Sequence, residues 1–248
     1  MLDDEDTVTA EGTPDPRKAW ETVLASIEGD LLSGRLGPGD HLPPERALAT
    51  ALGVGRSSVR EAVRVLEVLG LIRTQTGSGP QSGAIIVARP SGGMSLLMRL
   101  QVAARAFPVD DVVSTRLILE AAIATQLASG PFDLSPAREL LDSMDAPGLG
   151  AADFLALDAQ FHVSLAAAST NTVLAAMMAG LRDSVEGYVL ASAPDADAWP
   201  DTAARLRAEH RGIVAAIDAG DPDTASARIR DHIHGYYLQT TTPKETPW

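Results

Sequence analysis

Apolar residues recur at helical spacing along most of the chain, and glycine and proline interrupt them at short intervals. Two such runs lie close together between Leu42 and Ile72. Pro43 and Pro44 stop any earlier helix, and Pro44-Glu45 can open the next with a proline and an acid in its first turn. Ala47, Leu48, Ala51 and Leu52 then predict one buried face. Gly53 stands where this helix must end left-handed, a conformation that glycine adopts at little cost. A second helix is predicted from about Arg56 to Glu67, with Val59, Ala62, Val63 and Leu66 as its apolar stripe. The polar pattern that follows, Gly70 to Gly79 and then Gly83 to Val87, reads as strand, glycine-rich turn and strand.

Beyond Pro90 the periodicity is helical only. Ser91-Gly92-Gly93 reads as a linker, and helices are expected near 94–106, 108–129, 135–145, 151–168, 171–193, 200–219 and 222–240. Ser135-Pro136 and Asp221-Pro222 each place a capping side chain before an N1 proline. The short connections imply an antiparallel bundle of six to seven helices. The predicted fold class is therefore mainly α: an N-terminal winged helix-turn-helix and a C-terminal all-helical bundle. The expected divisions are an acidic, disordered tail at 1–16, a winged-helix domain at 17–89, and a linker with connecting helix at 90–107. A helical domain at 108–241 and a tail at 242–248 complete the chain.

Composition sharpens this division. A chain of 248 residues with 45% hydrophobic and 4% aromatic content can build two helical cores. It contains no cysteine, which excludes disulfides and thiolate metal sites. No apolar run approaches membrane-spanning length and the N-terminus lacks the marks of a signal peptide, so a cytoplasmic protein with no membrane partner is expected. The net charge of -13 is uneven: Asp3, Asp4, Glu5, Asp6, Glu11 and Asp15 crowd the start, whereas bases slightly outnumber acids from Arg17 to Arg89. A near-neutral DNA-binding head on an acidic body should bind weakly alone and depend on dimerisation.

Two sets of side chains carry chemistry. Arg56, Ser57, Arg60 and Arg64 share the polar face of the second helix, where arginine can pair with guanine or phosphate and serine can reach either. An arginine-rich outer face is also what a merely solvated helix shows. In the C-terminal half, Asp158 and His162 are four apart and project from one otherwise apolar face, with Phe154, Leu155 and Leu165 nearby. His210 precedes Ile213, Val214 and Ile217 at inward spacing, and His232 follows Ile229 by three. One carboxylate and three imidazoles would suit a divalent transition metal if they met; separately, each histidine could be an ordinary hydrogen-bonded core residue.

The run from Gly34 to Ile72 resembles the winged-helix domain of GntR-type bacterial transcription regulators. Its Gly-x-x-x-Pro-Gly segment is Gly34 to Gly39, its Leu-Pro-x-Glu-Arg is Leu42 to Arg46, and its Arg-x-x-Val/Leu-Arg-Glu-Ala helix is Arg56 to Ala62. The resemblance implies that Arg46, Arg56, Ser57, Ser58 and Arg60 contact operator DNA, with Gly77 at the wing tip. The wing departs from the pattern by carrying Ser78-Gly79-Pro80-Gln81-Ser82 in place of a shorter glycine turn.

From about Pro108 to Tyr237 the chain resembles the helical effector domain of the FadR branch, the FCD domain. Its Asp-x-x-x-His matches Asp158 and His162, its Glu-His-x-x-Ile histidine matches His210, and its last histidine matches His232. The resemblance implies a divalent transition metal on these four residues, with zinc the first choice and nickel or manganese alternatives. His234, two residues from His232, faces the other side and is left out. Arg116 matches an Arg-x-x-x-Glu pattern and is implied to face a small carboxylate effector beside the metal; a plain Arg116–Glu120 helix ion pair is the competing account. Arg182 is a second effector candidate.

The combined expectation is a homodimeric, ligand-responsive DNA-binding regulator, a repressor and not an enzyme. Its rivals are a metal-dependent hydrolase or isomerase built on the Asp/His residues, and a regulator whose metal is purely structural or is itself the signal.

Overall fold

The structure, a computed structural model, describes residues 16–75, 83–88, 90–191, 193 and 198–240. The expected tail at 1–16, except for Pro16, the tail at 242–248 and the wing tip with Gly77 lie outside these residues. The chain divides into two compact units, Met1–Pro90 and Ser91–Trp248.

In the first unit α1 (Pro16–Leu32), α2 (Glu45–Leu52) and α3 (Arg56–Val68) are followed by the antiparallel strands β1 (Ile72–Gln75) and β2 (Gly83–Ile86). Helix α1 was not among the expected elements, although Ala19, Val23 and Ile27 recur every fourth residue and are buried. Its side chains meet those of Leu48, Val59, Ala62, Val63 and Leu66 in one apolar cluster with Ile72 and Ile86. Gly53 ends α2 at φ 64°, its N–H returning to the Ala49 carbonyl, so the predicted left-handed stop is present. The segment before α2 also lies along β2: Leu42 N–H donates to the Ala84 carbonyl and Ile86 N–H to that of Asp40. Glu67, at the end of α3, accepts both the N–H (2.9 Å) and hydroxyl (2.5 Å) of Thr74 and so ties the helix to the wing strand.

One expected face needs correction. Leu48 and Ala49 are buried and Leu52 is half-buried, but Ala47 and Ala51 are exposed. A helix of two turns carrying four small apolar residues has no strong phase of its own. The packing of α1 and α3 selects which side goes in.

Among the described residues the second unit contains seven helices: α4 (Pro90–Ala103), α5 (Val109–Ala128), α6 (Ser135–Met144), α7 (Ala151–Ala168), α8 (Thr172–Ala191), α9 (Trp199–Asp218) and α10 (Pro222–Thr240). The expected linker Ser91-Gly92-Gly93 is instead the first turn of α4, opened by Pro90. A proline at the start needs no helical N–H, so it outweighs the two glycines. Helix α4 approaches α8 where Gly180 leaves room for Met94 and Met98. Ser135 does not cap α6; it is the first helical residue, and its N–H donates to Asp133 Oδ1 (2.9 Å). Asp221 does cap α10, accepting the Thr224 N–H at 3.0 Å, and Asn171 Oδ1 accepts the N–H groups of Val173 and Leu174 at the start of α8.

Helices α5, α7, α9 and α10 converge on a core that includes Phe154, Phe161, Leu127, Leu206, Ile213 and Ile229. Embedded in it are the buried charged and imidazole side chains of Arg116, Glu120, Asp158, His162, Arg182, His210 and His232. Burying charge so deep is costly unless every group is paired, so this cluster is where the unit departs from a simple apolar bundle.

Candidate functional site

On the first unit, Arg46 of α2 and Arg56, Ser57, Arg60 and Arg64 of α3 are all exposed. The apolar stripe Val59, Ala62, Val63 and Leu66 is buried beneath them, so the helix is held by one side and presents the other. Its N-cap is Gly55, which supplies no capping side chain, and the start of the helix keeps its positive potential for an anion. Ser58 is buried at 6% exposure and faces the domain interior instead. It lies one helical turn before Ala62 and two before Leu66, so its spacing already placed it in the apolar stripe.

The second site draws its four candidate ligands from three helices. Asp158 and His162 come from one face of α7, His210 from α9 and His232 from α10, and the ligand-type atoms of all four lie within 4.8 Å of one another. His162 Nε2 and His210 Nε2 stand 3.1 and 3.2 Å from His232 Nε2, and Asp158 Oδ1 is 3.0 Å from His210 Nε2. Asp158 Oδ1 is 3.8 Å from both other Nε2 atoms. His234 is exposed, on the other side of α10.

The outer nitrogens explain how the rings are set. His232 Nδ1 faces Glu209 Oε2 at 2.8 Å, and His162 Nδ1 is in close contact with Glu120 Oε2. The Glu209 carboxylate is placed to accept the N–H of His232 Nδ1, while Glu120 meets His162 Nδ1 as an ion-pair contact; a carboxylate on each outer nitrogen leaves the Nε2 atoms of these rings turned inward, toward each other. Such an arrangement repels itself unless a proton or a cation lies among the nitrogens. Separations near 3 Å suit nitrogens each about 2.0–2.1 Å from a shared zinc-like ion. The residues therefore fit a divalent metal, with the Nδ1 atoms of His162 and His210 both buried without a hydrogen-bond partner among the described residues.

Electrostatics agree with the ligand role. Burial raises the Asp158 carboxyl, but Arg182 and His210 outweigh it and hold the group well below the usual carboxylate range. Burial and the neighbouring His210 lower His232 against the pull of Glu209, which keeps the imidazole neutral and its lone pair available.

Two arginines border the cluster, and both accounts of Arg116 hold at once. Its Nε and one terminal nitrogen each lie 3.0 Å from Glu120 Oε1, while the other donates to the Tyr237 hydroxyl at 3.2 Å. The ion pair foreseen along the helix is present, and its carboxylate turns out to be the partner of His162. Arg182 lies 3.0 Å from Asp158 Oδ2, and burial together with Arg116 lowers its pKa. Arg116, Asp158, Arg182, His232, Tyr236 and Tyr237 all line one small cavity of ≈ 20 Å³, room for about one water. Tyr236 and Tyr237 have no signal in the sequence as site residues, and Glu120 is marked there only as the helix partner of Arg116, not as the neighbour of His162. Glu209 did stand beside His210 in sequence, yet it serves His232.

A winged helix-turn-helix joined in one chain to a helical unit with a buried polar cluster defines a one-chain DNA-binding regulator. Residues 20–80 match the bacterial regulatory proteins of the gntR family, and residues 111–235 match the FCD domain. The chain belongs to the GntR family of transcriptional regulators and carries an FCD domain. It is 28% identical over 224 residues to the Glc operon transcriptional activator of Escherichia coli (strain K12), covering 88% of this chain and 87% of that protein. It is also 28% identical over 232 residues to the HTH-type transcriptional repressor NanR of Citrobacter rodentium, covering 88% and 84%. The solved structure of a Streptococcus agalactiae GntR superposes with a TM-score of 0.61 at 26% identity, over 88% of this chain and 98% of that one.

The protein is therefore a DNA-binding transcription regulator and not an enzyme. The hydrolase reading also loses its one candidate general base, since Glu209 is occupied by His232 on one oxygen and by Arg205 (2.5 Å) on the other. Among the described residues no helix is long and apolar enough to cross a membrane.

Proposed function

We propose that this regulator binds its operator as a homodimer and senses a small carboxylate through a divalent transition metal, zinc first, on Asp158, His162, His210 and His232. The observation that carries the reading is the inward convergence of three imidazole Nε2 atoms and one carboxylate oxygen, two of the imidazoles backed by carboxylates on their outer nitrogens. When bound, the metal supplies a Lewis-acidic position for an effector oxygen. Asp158 and the histidines hold it, Glu120 and Glu209 orient His162 and His232, and Arg116 and Arg182 form the cationic wall of the adjoining cavity.

Operator contact falls to Arg46, Arg56, Ser57 and Arg60, all on the open side of the helix pair; Gly77, expected to join them, lies outside the described residues. Ser58, being buried, acts by packing beneath them and not by touching a base. The cavity is too small for an organic acid as it stands, so binding must displace wall side chains such as Tyr236 and Tyr237. That requirement gives a ligand different affinities for two arrangements of the domain, the condition for switching. We read the output as repression relieved by ligand, and an operator-binding titration with and without effector tests the sign.

The deciding experiment measures operator affinity after chelation, after zinc return, and after addition of candidate acids. DNA affinity that responds to an acid only with metal present supports the sensor. A response to metal alone makes the metal the signal, and no response to either leaves it a structural element.

A further inference from the structure

The charges around the cavity balance before any metal is added. Arg116 is paired with Glu120 and Arg182 with Asp158, all four buried, and the half-buried Glu209 is paired with Arg205. The three histidines are neutral ligands in their metal-binding form. A divalent ion on this set therefore brings two positive charges into the interior with no protein counter-charge. In a low-dielectric site such an excess is costly, and an anion of matching charge removes it.

The hydrogen-bonding state of the two arginines differs. Every terminal group of Arg116 is engaged, with Glu120 and with the Tyr237 hydroxyl. Arg182 gives one terminal nitrogen to the Asp158 side chain and, more loosely at 3.4 Å, to its backbone carbonyl, while its Nε is buried with no hydrogen-bond partner among the described residues. An unsatisfied buried guanidinium donor costs about as much as a lost charged hydrogen bond. It belongs to a residue that lines the cavity beside the cluster.

From these two observations, and resting on the metal reading above, we propose that the cavity selects a small dianion, with one oxyanion at the metal and the second on Arg182. Arg116 is then a positioning residue: it fixes Glu120, and through it the ring of His162. The effector class is narrowed from carboxylates in general to compounds carrying two negative charges close together, a short dicarboxylate or a phosphate-like group.

The test is calorimetric titration of the zinc-loaded full chain with malonate, succinate, inorganic phosphate, propionate and lactate, with zinc affinity measured separately by chelator competition. At least one dianion should bind about tenfold or more tighter than propionate and lactate, the worth of one charge-assisted hydrogen bond. Phosphate ranking above the diacids supports the dianion and assigns the phosphate-like form; diacids ranking first assigns the dicarboxylate. Arg182→Met should bring the preference close to unity while propionate affinity changes little. Arg182→Lys keeps a charge beside Asp158 but removes the spare donor, and should lose about threefold of the preference or more. Arg116→Lys should weaken zinc binding yet keep the preference once zinc is saturating.

The proposal is overturned if monocarboxylates bind within about threefold of every dianion, if no anion binds the zinc-loaded protein, or if Arg182→Lys leaves the preference unchanged. Equal weakening of all ligands in Arg182→Met, with the fold intact by circular dichroism, also overturns it. A wild-type chain that takes up no zinc, nickel or manganese defeats the metal reading itself, a failure distinguishable from the others because it is seen before any anion is added.

Discussion

The two units use arginine in opposite ways. In the winged-helix unit, Arg46, Arg56, Arg60 and Arg64 stand in solvent above an apolar stripe that holds the helix without them. In the helical unit, Arg116 and Arg182 are sealed into the core at 2% and 7% exposure, each against a carboxylate. The exposed set can be spent on a partner because the fold does not depend on it. The buried set is bound up with the fold, since removing either member of a pair strands the other charge. Recognition of a large anionic polymer and recognition of a small buried ligand thus call on the same side chain under different solvation.

The most severe way to break the contrast is to remove one buried counter-charge. Glu120→Ala leaves Arg116 buried without its partner and frees His162 Nδ1, and should cost about 3–5 kcal/mol in chemical denaturation. A loss below about 1 kcal/mol would mean that the pair is not sealed in solution. Removing the metal comes next. Chelation of a protein held at about 100 times its dissociation constant should take away roughly 2.7 kcal/mol and lower Tm by several degrees. His210→Ala should abolish that difference, whereas the exposed His234→Ala should retain it.

Arg60→Ala sharpens the other side of the comparison. Operator affinity should fall by about 1–3 kcal/mol, read by titration at fixed salt, while stability stays within about 0.5 kcal/mol. A large stability loss there would place Arg60 in the fold and remove the contrast. Gly53→Ala forces a side chain into a φ of 64° and should cost about 1 kcal/mol in the winged-helix unit alone.

The smallest effect concerns the Asp221 cap. Its hydrogen bonds to Thr224 lower the carboxyl pKa in the folded protein. The cap's contribution is therefore fully present above the unfolded carboxyl pKa, about 3.9, and is lost as pH falls through the lower folded value. In Asp221→Asn that part of the acid dependence should be absent from pH-dependent melting curves.

Legibility in the sequence followed the range of the interactions. The turn at Gly53 and the stripe on α3 depend on neighbours within a few residues, and both are present as expected. The Ser91-Gly92-Gly93 linker failed because two glycines weigh less than a proline at the first helical position. The exposed Ala47 and Ala51 failed because α2 is too short to set its own phase. Ser58 is legible in the sequence: its spacing to Ala62 and Leu66 marks the buried stripe, and only the family resemblance points it toward DNA.

The chain alone determined that a paired-helix head with an arginine face precedes an all-helical body, because helical period, proline, glycine and cap chemistry act locally. It also determined the identity of the four candidate ligands, since each sits on an inward helical face. Only the tertiary structure decided that α7, α9 and α10 bring them within 4.8 Å, that Glu120 and Glu209 back two of the rings, and that Arg182 keeps a donor unused. Those relations join residues 22 to 74 positions apart. No periodicity encodes them, because helix spacing fixes which way a side chain points and leaves open what it will meet.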